Sequence, residues 1–146
     1  MSPLNPISGQ GPFSQAMATA ASAMRAQSTR MRLVSENLAN ANSTAAVAGG
    51  TPYQRKTMTF EQSMDRVTGA ALVQPGRIGV DPSPFRTSYE PSHPAADDKG
   101  YVTLPNVSEM IEVADMRESQ RSYEANLSMM AQARSMIAKT LDILKA

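Results

Sequence analysis

The chain has 146 residues, no cysteine, 14 basic against 13 acidic side chains and a formal charge of +1. Disulfides, thiolate catalysis and cysteine-based zinc sites are therefore excluded, and no basic face is available for nucleic acid. Aromatic residues make up 5% of the chain, Trp is absent and Met reaches 11, a composition short of ordinary core bulk but suited to helix seams that adapt to several neighbours.

The length allows one domain or two small ones. Met1–Pro12 is rich in Pro, Gly and Ser and is expected to be irregular, a flexible N-terminal extension. It has neither a basic n-region nor an apolar core, so it does not read as a Sec-type signal peptide. No apolar run approaches the roughly 18 residues that span a bilayer. Taken alone, these features read as cytoplasmic.

Phe13–Ala41 is predicted to be a helix: it has no Gly or Pro, and many Ala. An apolar stripe runs through Met17, Ala20, Met24, Met31, Val34, Leu38 and Ala41 in steps of three and four, with Gln27 in the one missing place. That spacing is a heptad seam. Asn40–Asn42 and Gly49-Gly50 end it.

Ala45–Pro105 holds most of the prolines and glycines. Tyr53–Phe60 and Tyr101–Leu104 read as short strands. Gln74-Pro75-Gly76 and Asp98-Lys99-Gly100 read as turns. Val80–Pro94, with four prolines, is expected to be extended and pinned by partners rather than by its own core.

Asn106–Lys145 is the strongest predicted element. Asn106 is a candidate N-cap and Glu109 its returning partner. The stripe Val113, Met116, Gln120, Tyr123, Leu127, Met130, Arg134, Ile137, Leu141, Leu144 keeps the 3/4 rhythm, broken in polarity at Gln120 and Arg134. Those two sit at the wet edge of the seam or fix its register. Such a helix is roughly 60 Å long. Pairing with the N-terminal helix covers about three-quarters of it by the same rise per residue, and the rest must meet other chains.

The expected fold is mainly α. Two long terminal helices pair as an antiparallel coiled coil around a small irregular or β-hairpin insertion. Residues 13–44 and 106–146 form the helical core domain and 45–105 the Pro/Gly-rich insertion. His93, the one histidine, lies near Asp97 and Asp98 on a proline-rich loop, a weak ligand set that reads as a turn. There is no nucleophile elbow and no phosphate loop. No catalytic, cofactor or metal residue is assigned, and no small-molecule substrate is expected.

Three segments carry a resemblance. Asn37-Leu38-Ala39-Asn40, followed by Ser43-Thr44, resembles the Asn-Leu-Ala-Asn motif near the N-terminus of bacterial flagellar rod, hook and hook-associated proteins. As a bare helix end it reads only as a terminator, where Asn tolerates the left-handed conformation. Tyr89-Glu90-Pro91-Ser92-His93-Pro94-Ala95-Ala96-Asp97, then Gly100-Tyr101-Val102 and Leu104-Pro105-Asn106-Val107, resembles the stretch before the last helix in FlgC-type rod proteins. Arg121-Ser122-Tyr123-Glu124-Ala125-Asn126, with Met136, Lys139-Thr140 and Leu141, resembles the C-terminal helix of that family. The three come in the family's order. Residues 1–12 and 45–86 carry no match of this kind.

The resemblance implies a structural subunit of the proximal rod of the flagellar basal body, polymerising helically to transmit torque. It implies export through the type III apparatus without a cleaved signal, a periplasmic location, and neighbours among FlgB, FlgF, FlgG, the adaptor FliE and further copies of the chain. The assembly interface is then expected at Met24, Met31, Asn37, Leu38, Asn40, Tyr89, Pro91, Pro94, Tyr123, Asn126, Leu127, Met130, Ile137, Leu141 and Leu144. Asn37 and Asn40 would bind backbone at the helix end and reach a neighbouring subunit. The rival reading is a cytoplasmic coiled-coil adaptor or chaperone holding a partner helix in a Met-rich groove.

Overall fold

A computed structural model describes residues 11–145. The expected N-terminal extension lies outside them, save for Gly11 and Pro12. Two helices enclose four strands in the order α1 (Pro12–Ala39), β1 (Lys56–Met64), β2 (Ala71–Val80), β3 (Arg86–Tyr89), β4 (Tyr101–Leu104) and α2 (Glu109–Lys145).

Helix α1 starts on a proline, whose missing N–H would have no helical partner there anyway. It ends at Asn40 with φ −103° and ψ 6°. The end is therefore not left-handed, and among the described residues no non-glycine has positive φ. Instead the Asn40 side-chain amide donates to the Glu36 carbonyl at 2.9 Å, satisfying one of the helix's last free acceptors.

Strands β1 and β2 form an antiparallel ribbon. The sequence expectation of a turn at Gln74-Pro75-Gly76 is corrected: all three lie inside β2. They mark a bulge, where the register steps from Met58 opposite Ile78 to Phe60 opposite Pro75. Gly76 gives the Thr59 side chain room there: a Cβ would stand 2.5 Å from its hydroxyl and force it to turn away. The true hairpin turn is at Asp65–Ala70, where the Asp65 carboxylate accepts from the Val67 amide and the Thr68 hydroxyl.

Val80–Pro94 is extended in part, as expected, but it is also held by its own chain. Arg86–Tyr89 is a strand paired with β4. The chain pins this segment itself. Arg86 donates to the Ala41 and Pro105 carbonyls at 3.0 and 3.1 Å, and Asn106 to the Asp81 carbonyl at 3.0 Å. Gly100, at φ +84°, closes the Asp98-Lys99-Gly100 turn as expected.

Asn106 is thus not the helix cap. Its side-chain oxygen accepts the Arg55 backbone N–H at 2.8 Å, and α2 begins only at Glu109, whose carboxylate accepts from the Asn42 amide at 2.6 Å.

Helix α1 lies between α2 and the ribbon. On one side Thr19 and Ser22 bond β2 backbone at Ala71 and Val73, and Gln15 bonds the turn at Thr68. On the other, Arg30 meets Asp115 and Asn37 meets Glu112, so the helices run antiparallel. Ala20, Ala26, Leu33 and Val34 are buried along α1.

The face that α2 turns to α1 differs from the predicted stripe. Its covered or half-covered positions include Glu112, Met116, Ser119, Tyr123, Asn126, Met130, Ala133 and Ile137. Half of the predicted stripe is present as the row Met116, Tyr123, Met130, Ile137. The other predicted row, Val113, Gln120, Leu127, Arg134, Leu141, is exposed. Small and polar residues, Ser119, Asn126 and Ala133, take its place. The helix is turned so that its second apolar row faces outward.

Candidate assembly surfaces and the junction that positions them

The two helices are joined at one end by a buried polar junction. Asn37 is 1% exposed and Glu112 is fully hidden. The Asn37 amide donates to the Lys56 carbonyl at 2.9 Å and to Glu112 Oε2 at 3.1 Å. Its oxygen accepts from the Lys56 N–H at 2.9 Å and the Tyr53 hydroxyl at 2.8 Å. An amide has two donors and two acceptor positions, and all four are taken within the chain. Asn37, expected to reach a neighbouring subunit, uses this whole hydrogen-bonding capacity within its own chain here. Asn40, half-buried, bonds backbone at the helix end.

Arg55 completes the junction. Its Nε donates to Glu112 Oε1 at 2.5 Å, and its other nitrogens lie 3.4 Å from Asp81 and 3.7 Å from Asp115. One guanidinium thus ties the loop before β1 to the end of β2 and to the first turns of α2. Burial works against its charge, but the bond to Glu112 and the charges of Glu112 and Asp81 outweigh that and hold the proton more firmly. Burial, helped by the charges of Glu36 and Glu112, pushes the Tyr53 hydroxyl up to about 12. Tyr53 therefore stays a neutral donor to Asn37. Beside the junction runs an open groove of about 600 Å³ floored by Leu33 and Val34 and edged by Arg30, Lys56 and Phe60. The Arg30 guanidinium lies 5.7 Å from the Phe60 ring centre.

The far end of α2 is the opposite kind of surface. From Leu127 onward, Leu127, Met129, Met136, Leu141, Ile143 and Leu144 are all at least half exposed. At 3.6 residues per turn they spread over about 200° of the helix circumference. One partner helix needs an apolar stripe only about 100° wide. That arc encloses the seam positions Met130, Ala133 and Ile137, so the exposed apolar side chains flank the contact with α1 or continue it toward the end of the helix.

The sequence-predicted interface residues divide accordingly. Leu127, Leu141 and Leu144 lie on that free surface. Met24 and Met31 are half-buried on α1, as are Tyr123, Asn126, Met130 and Ile137 on α2, and Leu38 lies beside the junction, half-buried. Tyr89 is exposed and packs edge-on against Tyr101 at 5.2 Å between ring centres, with Pro91 and Pro94 exposed beyond it. Gln120 and Arg134 are exposed and do not fix register. Sequence reasoning missed Glu112, Arg55 and Tyr53. A glutamate one turn into an amphipathic helix reads as a solvated, dipole-favoured charge, and only its place beside the row Met116, Tyr123, Met130 hints at burial.

Among the described residues no group of His, Asp and Glu could hold a metal ion, and no helix is long and apolar enough to cross a membrane. Residues 98–143 match the family profile described as flagellar basal body rod FlgEFG protein, C-terminal. The chain is similar to the flagellar basal-body rod protein FlgC of Agrobacterium fabrum, 50% identical over 135 residues that cover 92% of this chain and 97% of the relative. It is also similar to the proteins of that name in Escherichia coli O157:H7, 37% identical over 85% of this chain and 92% of the relative, and in Bacillus subtilis, 37% identical over 84% and 92%.

Proposed function

This chain belongs to the FlgC family of flagellar basal-body rod proteins, as a structural subunit of the rod, and on that premise we propose that it polymerises helically in the proximal rod and carries motor torque through its paired helices. The observation that carries this reading is the C-terminal half of α2, where Leu127, Met129, Met136, Leu141, Ile143 and Leu144 stand exposed on both sides of the seam with α1 and beyond it. A single partner helix covers one stripe, whereas a helix embedded among several neighbours is covered on more than one side. A heterologous contact of this kind stacks subunits without closing a small ring.

The finer architecture follows the same reading. Helices α1 and α2 form a short antiparallel coiled coil, with α2 supplying alternating steps of four and three from Glu112 to Ile137. Residues 13–44 and 106–146 act as the assembling core, and 45–105 brace it through the ribbon along α1. The neighbours in this reading are FlgB, FlgF, FlgG, the adaptor FliE and further copies. The subunit reaches the periplasmic rod through the type III export apparatus without losing a signal peptide. It acts by packing and not as an enzyme, and the adaptor or chaperone reading is set aside in its favour.

Because the chain has no cysteine, Leu141→Cys gives one reactive site per subunit. Basal bodies purified from cells carrying it are expected to yield covalent adducts with a neighbouring subunit on treatment with a short bifunctional reagent. Adduct-free rods in which Leu141→Cys reacts freely with a water-soluble thiol probe would contradict the embedded helix.

A further inference from the structure

Every side-chain hydrogen bond and ion pair between the α1 region and α2, among the described residues, falls within the first ten residues of α2. Asn42 meets Glu109, Asn37 meets Glu112, and Arg30 meets Asp115 with Glu118 at 4.0 Å. Beyond Glu118 the seam is carried by packing alone. Its rows repeat every seven residues: Ser119, Asn126, Ala133 on one side and Met116, Tyr123, Met130, Ile137 on the other. Moving α2 by seven residues would replace Ser with Asn and Met with Tyr. Methionine adapts readily to altered surroundings, so such a seam discriminates poorly between the two registers. Its polar atoms do not decide the matter either. Gln27 Oε1 and Ser119 Oγ, at about the same level of the antiparallel pair, are both buried without a partner.

The junction has the opposite character. Glu112 is completely hidden, and an ionised carboxylate there is tolerated only where partners meet both oxygens. Asn37 meets one and Arg55 the other. A shift by seven residues one way would bring Ser119 to this place, and Ser119 has no carboxylate to offer Arg55. A shift the other way would bring Pro105, which lies outside the helix. We infer that Glu112, held between Asn37 and Arg55, is the positioning residue that sets the register of α1 against α2, while the long seam beyond it follows. Through Arg55 the same carboxylate also fixes the ribbon relative to the helices.

The test reads register directly. Spin labels are placed on the full chain at Ser28→Cys and Arg121→Cys, exposed positions outside the junction, and the distance between them is measured by pulsed electron resonance. The otherwise unaltered chain is expected to give one distance. Glu112→Ala is expected to add a second population, from helices displaced by one heptad, about 10 Å along the axis. Glu112→Gln, which keeps an oxygen and the side-chain length, is expected to retain the single distance. Circular dichroism is recorded on each variant. An unchanged single distance in Glu112→Ala would show that the packed seam sets register by itself and would overturn the inference. Loss of helix in Glu112→Ala would overturn it equally, since the inference requires the seam to persist with its register released.

Discussion

The two ends of α2 are held by different physics. At Glu109–Glu118 the helix is fixed by directional bonds to Asn42, Asn37, Arg55 and Arg30, all from its own chain. From Leu127 to Lys145 it is mostly exposed, carries six large apolar side chains on its surface and makes no side-chain bond to another element of the chain among the described residues. Directional bonds specify one geometry and suit a subunit's interior. Apolar packing is non-directional and suits a surface that several neighbours must share. The subunit is thus specified at one end and left open to assembly at the other.

Substitutions at the two ends should therefore fail in different ways. The largest effect on the chain itself is expected from Asn37→Asp. It removes the amide donors to Lys56 and Glu112 and sets a second carboxylate beside a hidden one. A cost of about 3–5 kcal/mol is expected, visible as a lower denaturation midpoint in the isolated subunit. Leu127→Asp should do the reverse. Leu127 is 51% exposed, so the isolated chain should change by no more than about 0.5 kcal/mol. Rods should nevertheless fail to assemble, because each embedded carboxylate then costs about 2–3 kcal/mol or more at every contact. Swimming assays and basal-body purification, set beside denaturation of the same variants, separate the two outcomes. Equal losses of fold in both variants would erase the contrast.

A smaller change is expected at Asn40, three residues from Asn37 but with a single helix-end bond to Glu36. Asn40→Asp loses that donor and places a negative charge at a helix C-terminus, for about 1 kcal/mol. A midpoint lowered as far as in Asn37→Asp would show that the two amides share one role. The smallest effects come from titration. Tyr53 has its folded-state value raised, so its contribution to stability is complete below the ordinary tyrosine value of 10.0 and declines as pH rises toward about 12. In Asp81 the bonds from Ser83, then the charge of Arg55, hold the carboxyl below its ordinary range. Its contribution is present above the unfolded value and is lost as pH falls through the folded one. Denaturation midpoints of the parent chain and Tyr53→Phe, compared over the alkaline range up to about pH 12, should converge only if Tyr53 carries the alkaline loss.

The contrast between the ends also explains what the sequence discloses. Both helices and the row Met116, Tyr123, Met130, Ile137 are legible, because apolar spacing reports an amphipathic helix directly. Spacing does not report which of two adjoining rows meets the chain's own partner. It therefore assigns Val113, Leu127 and Leu141 to the internal seam, where Ser119, Asn126 and Ala133 lie instead. Strand β2 is masked by Pro75-Gly76, which read as a turn and serve as a bulge. Asn106 reads as a cap because its real partners, Arg55, Asp81 and Ser83, are all distant in sequence. Glu112 is illegible for the same reason: its partners are Asn37 and Arg55, 75 and 57 residues away.

The most direct test of a specified end and an open end is amide hydrogen exchange along α2, in the isolated subunit and in purified rods. In the isolated subunit, protection is expected to be strong from Glu112 to about Ser119 and to fall steadily beyond Leu127, with the last turns exchanging fast. In rods the tail should become as protected as the junction. Uniform protection along the whole of α2 in the isolated subunit, or a tail that still exchanges fast in the rod, would contradict the account.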